Sequence, residues 1–429
     1  MGREGAVDLE AAEFYVRSAV LALGATVLER LLANVGTGRQ DGPRLCARRH
    51  LPRRMDSRGV REKTLQTVVG PVRFARSRYV CPECGAVEYP GDTLLGVAGT
   101  GISPGLRRLM TRAGARESFG EAAEDLHTYG AMDVDAKALE RVAEETGRLI
   151  DRWMKIEASA AVLGVRRPGD SNDPIPILYV ALDGTGAPMR KSELKGVRGK
   201  GEDGKAKTRE VKLGCVFTQT TLDEEGNPRR DPHSTSYVGA IESSRDFGHR
   251  LSQEAVRRGR QRAEQTVVLS DGAEYNAAIA HEHFPTATHI LDFYHASERL
   301  SDFVKDHTTH PCQGPFHHEC YALLEDGRIE ELLERMRQQA PRRGPKRKAA
   351  LKRIAYFQER KDQMRYATFR QAGFFVGSGV IEAGCKTLIG KRLKQSGMFW
   401  SVAGANAIIA ARCCIYSRRF EQFWEDTGS

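Results

Sequence analysis

The chain has 429 residues, 40% of them hydrophobic, enough for two or three domains with sizeable cores. Lysine and arginine number 66 against 56 aspartates and glutamates, a formal net charge of +10; this argues for a polyanionic partner, nucleic acid above all, although a basic housekeeping enzyme carries the same excess. The nine cysteines, odd in number and mostly scattered, argue against a disulfide framework and for a reducing cytoplasm.

Residues 1–40 read as an N-terminal amphipathic helix, carrying Phe14, Val16, Val20, Leu23, Val27 and Leu31, for docking, dimerisation or core packing. Its apolar centre, Leu21 to Leu32, is interrupted by Glu29 and Arg30 and flanked by Arg17. It reads as too short to span a bilayer, and no targeting segment is visible, so no membrane partner is expected. Residues 41–100 form the next module. Cys46-Ala-Arg-Arg-His50 and Cys81-Pro-Glu-Cys84 flank two alternating runs, Thr64 to Val69 and Val72 to Tyr79, split by Gly70-Pro71. Two ligand pairs around a β-hairpin describe a zinc-ribbon-like site for Zn²⁺ on Cys46, His50, Cys81 and Cys84; the alternative is unmetallated core thiols. Its many arginines suit DNA backbone phosphates.

Residues 101–165 turn helical. Phe119 to Tyr129 and Asp135 to Ile150 flank a turn at Gly130, and Ala122, Leu126, Val134, Leu139 and Val142 fall where a helix-turn-helix places its core; a plain helical bundle fits equally. Residues 164–174 are linker-like. The Gly/Lys-rich stretch Lys191 to Lys207 is a loop lying near DNA or simply in solvent.

From residue 175 the pattern becomes α/β. Ile175 to Asp183, Glu210 to Thr221, Ser236 to Ile241, Thr266 to Leu269 and Thr288 to Leu291 read as strands, with helices over Arg245 to Glu264 and Ala273 to His283. The first strand delivers Asp183 into Gly184-Thr185-Gly186, the fourth ends in Asp271-Gly272, and the fifth ends in Asp292 with His295 three residues on. Ligands of open α/β sheets bind outside the carboxyl ends of the strands, so these acids gather at one rim. Two strand-end carboxylates suit Mg²⁺ or Mn²⁺. Glu382 is the best third acid: Gly377 to Gly397 reads as one helix capped near Ser378, with Lys386 and Ile389 on roughly the face of Glu382. Residues 175–296 are then the first part of an RNase H-like core, 297–370 an all-α insertion with a basic loop at Pro341 to Lys348 and a basic helix over Leu351 to Phe369, and 371–429 the helical C-terminal part.

These residues resemble the DDE transposases of bacterial insertion sequences, of the Kra branch related to Mutator-like elements. The resemblance covers most of the chain: the cysteine-bearing N-terminal region, LDGTG around Asp183, SDGAEY around Asp271, HFPTATHILDFYHA with its Asp292-Phe-Tyr-His295, and GSGVIEAGCKTLIGKRLKQSGMFWS around Glu382. The Cys46/His50 pair departs from the commoner two-cysteine knuckle. The family implies an RNase H-like core with an α-helical insertion before the third acid, and Asp183, Asp271 and Glu382 as the metal-binding triad. It implies cleavage of transposon ends and joining of the 3′-OH to target DNA with two divalent ions, Asp183 bridging both, Asp271 holding one and Glu382 the other. His295 would orient a phosphate or a carboxylate, or be a satisfied core histidine. Lys386, Lys391, Arg392 and Lys394 would contact DNA phosphates. The partners are double-stranded DNA, as terminal inverted repeats and target, and at least a second copy of the chain, since two ends must be paired; the setting is cytoplasmic and nucleoid-associated. The rivals are a non-transposing nuclease of the same fold and a DNA-binding regulator derived from a transposase. A serine- or tyrosine-type recombinase is disfavoured; Tyr294 sits beside His295 but lacks a surrounding arginine cluster.

Overall fold

The computed structural model describes residues 8–39, 42–46, 53–167, 172–197, 206–308 and 312–428. The chain is mixed α/β and divides into two compact units, residues 1–147 with 420–429, and residues 148–419.

The first unit opens on α1 (Leu9–Val35), capped by the Asp8 side chain. Leu32 packs against the cluster of Leu65, Phe74 and Val97, and Glu29 accepts a 2.7 Å bond from the Arg73 amide. Arg17 donates to the carbonyls of Thr128 and Tyr129. Of the roles expected for it, docking, dimerisation or core packing, only the last is corrected: none of its residues is buried, because apolar side chains run round the whole circumference and only one strip is covered. The length expectation is corrected as well. At 27 residues, with a stretch of mean hydropathy 1.4 inside it, α1 is long and apolar enough to cross a membrane, by length and composition only.

A three-stranded antiparallel sheet comes next, β1 (Asp56–Thr67), β2 (Gly70–Val80) and β3 (Val87–Glu88), with a tight turn at Gly70. A short helix, α2 (Pro90–Leu94), presents the buried Asp92, which takes Lys63 at 3.0 Å and also Arg76. Then α3 (Pro104–Arg116), α4 (Phe119–Gly130) and the start of α5 (Ala136–Val162) enclose one core of Leu106, Met110, Ala122, Leu126, Leu139 and Val142. The boundaries of α4 stem from its caps: Ser118 and Glu121 form a capping box, and Ala131 takes a left-handed conformation at the other end. Instead of breaking near 164–174, the units divide inside α5. The second half of α5 belongs to the second unit, where Trp153 lies under the Arg419 guanidinium at 4.3 Å and Asp151 takes Arg250 at 2.8 Å.

The second unit is built on a five-stranded sheet of β4 (Ile175–Pro188), β5 (Thr208–Gln219), β8 (Ser236–Ala240), β9 (Ala263–Ser270) and β10 (Thr288–Leu291); a two-stranded ribbon, β6 (Thr221–Leu222) with β7 (Pro228–Arg229), leads from β5 to β8. The order across the sheet is β10-β9-β4-β5-β8. β4, β5 and β8 are antiparallel neighbours, whereas β4, β9 and β10 run parallel. The crossover helices are α6 (Ser244–Arg257) and α7 (Glu274–His283). β4 departs from expectation. It does not end at Asp183 but continues to Pro188, because its far half stays paired with β5 through Pro188–Thr208.

Five helices follow among the described residues: α8 (Phe293–His307), α9 (Gln313–Glu325), α10 (Ile329–Gln339), α11 (Pro345–Glu359) and α12 (Tyr366–Gln371). The loop expected up to Lys348 is shorter, since Gly344 caps α11 and Pro345 occupies its first turn, where a missing N–H costs nothing. The helix expected over Leu351 to Phe369 is two helices, parted by a 3₁₀ turn at Lys361–Met364. After residue 377 come α13 (Gly379–Gly384), a π-helical turn (Cys385–Gly390), α14 (Lys391–Leu393), α15 (Val402–Tyr416), and, in the first unit, α16 (Phe420–Thr427).

Candidate active site

The sheet register builds the site. Leu182 pairs with Ser270, and Ser270 pairs with Leu291 across the three parallel strands. The next residue of each strand is an aspartate: Asp183, Asp271 and Asp292. Apolar β-branched and leucine residues lead to each of them because these strands are buried on both faces.

The three carboxylates then do different things. Asp292 is fully buried and accepts bonds from the backbone of His295 at 2.7 Å and of Ser378. It caps α8 and ties the chain entering α13 to the sheet rim. Asp271 is half-buried and takes both its described bonds on Oδ1, from the Ala273 amide at 3.0 Å and Asn276 Nδ2 at 2.7 Å. Asp183, also half-buried, accepts from the Gly184 amide at 2.6 Å. Burial pushes its carboxyl pKa up, the Gly184 amide and the Cys385 thiol pull it down, and Asp271 pushes it up again. Two like charges beside each other at low dielectric are unfavourable without a cation.

Glu382 reaches the same rim from α13, its Oε1 accepting from Ser378 Oγ at 3.0 Å. Ligand atoms of Asp292, His295 and Glu382 lie within 4.8 Å of one another. His295 is half-exposed, with Nδ1 3.9 Å from Glu298. Gly272 adopts a φ of +78°, and the Tyr356 hydroxyl and Leu291 Cδ1 occupy the space a side chain would need. This brings the all-α segment against the Asp271 turn.

Two expectations about the Glu382 helix are corrected. The shared face of Glu382, Lys386 and Ile389 does not form: Lys386 is exposed and Ile389 fully buried. The π-helical turn adds a residue to the winding and rotates the side chains beyond it. Arg412, itself buried, donates at 2.6 Å to the carbonyls of Thr387 and Leu388 in that turn. Arg392 is the second correction. It is fully buried, its guanidinium 4.9 Å over the Trp400 ring and 3.4 Å from Met398 Sδ, so it does not face a DNA backbone. Lys386, Lys391 and Lys394 are exposed, and Lys394 Nζ donates to Thr185 Oγ1 at 2.5 Å, two residues from Asp183.

Sequence reasoning missed several neighbours. Tyr275 bonds Glu210, which is 3.1 Å from the buried Lys212, and burial together with Glu210, Asp271 and Asp183 drives the phenol pKa upward. Asn276 and Ser378 hold the two flanking acids. Asn276, in the turn of helix after Asp271, was a readable signal; Tyr275 against Gly184 was not, since that contact needs the fold.

In the first unit, Sγ atoms of Cys46, Cys81 and Cys84 lie within 4.8 Å of one another, and Cys46 and Cys84 are 3.7 Å apart. A disulfide requires about 2.05 Å, whereas two thiolates on a tetrahedral Zn²⁺ at about 2.3 Å stand about 3.8 Å apart. Two backbone knuckles hold the sulfurs: Cys46 N donates to Arg53 O at 2.8 Å, and Cys81 N to Ala86 O at 2.9 Å. His50, the expected fourth ligand, lies outside the described residues, as do residues 198–205 of the Gly/Lys-rich loop. Part of the arginine surface expected to meet phosphates is engaged internally: Arg44 pairs with Glu88 at 2.7 Å, and Arg76 pairs with Asp92 and stacks 3.7 Å over Tyr89. Arg54, Arg61 and Arg73 remain exposed.

Comparison with known protein families and with curated protein sequences yields no match.

Proposed function

We propose that this chain is a DNA transposase of the DDE type, with an RNase H-like core that cuts transposon ends and joins their 3′-OH to target DNA. The observation that carries the reading is the register: Asp183 and Asp271 succeed the paired Leu182 and Ser270 on parallel strands, and Glu382 is tied to the same rim through Ser378 and Asp292. Counting strands from β4, the sheet order is 3-2-1-4-5 with the second strand alone antiparallel to both neighbours, an order that supports an RNase H-like reading. The helical segment lies between the second and third acids, as the resemblance implies.

The donor set fits divalent oxygen-ligated ions. Asp183 has a carboxyl raised by burial and by Asp271, and no described bond falls on Asp271 Oδ2, so both offer oxygens to a hard cation. Asp183, Asp271 and Glu382 would hold two Mg²⁺ or Mn²⁺. When bound, such ions lower the pKa of an attacking water or 3′-OH and neutralise the departing oxygen. The chain's own groups do the positioning. Asn276 and the Ala273 amide fix one oxygen of Asp271, Ser378 orients Glu382, His295 stands at the rim to meet a phosphate, and Lys386, Lys391 and Lys394 neutralise the backbone of double-stranded DNA. The thiols of Cys46, Cys81 and Cys84 fit Zn²⁺ with a fourth ligand, His50 in this reading. The working form is at least a homodimer, because two terminal repeats are processed together.

The test is cleavage of a labelled duplex carrying the repeats that flank the coding sequence, in Mg²⁺ or Mn²⁺. Asp271→Asn is expected to lose roughly three orders of magnitude in nicking rate, the several kcal/mol that metal-held charge stabilisation supplies. Equal rates for both proteins sink the acid assignment. Cutting without strand transfer favours the nuclease reading. Tight binding without cutting by either favours the regulator.

A further inference from the structure

A second histidine and carboxylate cluster lies in the same unit, away from the acid rim. His249 is on α6; Glu282 and His283 close α7. One ligand atom from each lies within 4.8 Å of the others, and the two imidazole centroids are 4.8 Å apart at 69°. We propose that His249, Glu282 and His283 form a transition-metal site, of the Zn²⁺ class, that clasps α6 to the end of α7.

Three observations carry it. The His283 side chain is 9% exposed, and its Nε2 is buried with no hydrogen-bond partner among the described residues, 3.9 Å from Glu282 Oε1. A buried ring nitrogen without a partner costs free energy unless something is bound to it. Second, the ring occupies room that only a glycine leaves: a Cβ at Gly248 would stand 2.6 Å from that same Nε2. Third, the donors are chemically apt. Two imidazoles and a carboxylate with an open fourth position are a known ligand set for zinc. The negative end of the α7 dipole favours a cation there. The Arg260 guanidinium opposes one, but its Nη1 is spent at 2.7 Å on the His283 carbonyl.

The consequence is mechanical. α7 holds Asn276, the donor to Asp271, in its first turn and the cluster at its last. A bound ion would fix that helix at the end opposite the candidate catalytic acid.

The full-length chain, stripped of metal, is titrated with Co²⁺ and monitored by absorption, then with Zn²⁺ against a chromophoric chelator. Wild type is expected to take up one equivalent more than His249→Ala and one more than Glu282→Gln. Both altered side chains are exposed, so the variants fold. The lost equivalent should lack a thiolate-to-cobalt band, and any band from the cysteine cluster should persist. Equal uptake by wild type and both variants, or a lost equivalent carrying the thiolate band, overturns the proposal. No DNA substrate enters, so the outcome stands apart from the transposase reading.

Discussion

The thiol cluster of the first unit and the acid cluster of the second solve the same problem at different ranges. Cys81 and Cys84 are three residues apart, and Cys46 meets them through neighbouring knuckles of one small sheet; its sulfur comes to 3.7 Å from that of Cys84, the spacing of ligands on a single ion. Asp183, Asp271 and Glu382 come from two strands and a helix far apart in sequence. Asp183 and Asp271 stay outside the tight group of Asp292, His295 and Glu382. A closed thiolate set suits one structural ion. Carboxylates spread along a rim suit more than one hard ion and leave room for a substrate. On the proposed reading, the first cluster would be a folding device, whose loss acts on its own unit, and the second a device whose charges strain the fold unless cations are bound.

Breaking the thiol cluster should have the largest effect. If the thiols hold zinc as proposed, Cys81→Ser should abolish its binding and unfold the first unit, since structural zinc sites supply on the order of 10 kcal/mol of apparent folding free energy. Calorimetry should then show one transition lost and that of residues 148–419 kept; two intact transitions would make the cysteines ordinary core thiols. Next come the two cations of the Glu382 segment, which sharpen the contrast between fold and chemistry. Arg392→Ala, at a fully buried position against Trp400, should cost about 2–5 kcal/mol in urea unfolding, as large-to-small core changes do. Lys394→Ala should leave stability nearly unchanged and reduce the salt slope of DNA binding by about one. If the two variants exchange these signatures, their assignment is wrong.

The smallest effect has the most diagnostic sign. Burial and Asp271 raise the Asp183 pKa in the folded state above its unfolded value. The ionised form is therefore penalised when folded; the penalty is present above the folded pKa and vanishes as pH falls below the unfolded value near about 3.9. In magnesium-free buffer, Asp183→Asn should raise the melting temperature slightly at pH 7, and the gain should fade toward pH 4. Saturating Mg²⁺ should reverse the order, because only wild type binds it well. A variant less stable than wild type at pH 7 without magnesium would contradict the strained-charge account.

Much of this was legible in the chain. Thr288–Leu291 was readable in full as a strand, and Ile175–Pro188 and Ala263–Ser270 in their apolar parts, because a buried parallel strand writes itself as an apolar run ending in a turn. The α4 and α5 part of the helical core, Ala122, Leu126, Leu139 and Val142, was legible from spacing. The errors in the Glu382 segment come from assuming regular winding and exposed charge. The π-helical turn after Glu382 broke the first assumption, and Arg392, buried against an aromatic ring, broke the second. The full apolar circumference of α1 was present in its residues, but whether they were covered was not.

The sequence by itself determined which residues could ligate: the thiols, the strand-end aspartates, Glu382 and the histidines, since donor chemistry belongs to side chains. The tertiary structure decided which of them meet. Pairing register set Asp183 beside Asp271, Asp292 became a buried cap instead of a ligand-bearing rim residue alone, and His249 was brought to His283 across two helices. Such contacts depend on how strands align and how helices cross, and those choices are made by the packing of the whole unit rather than by any local run of residues.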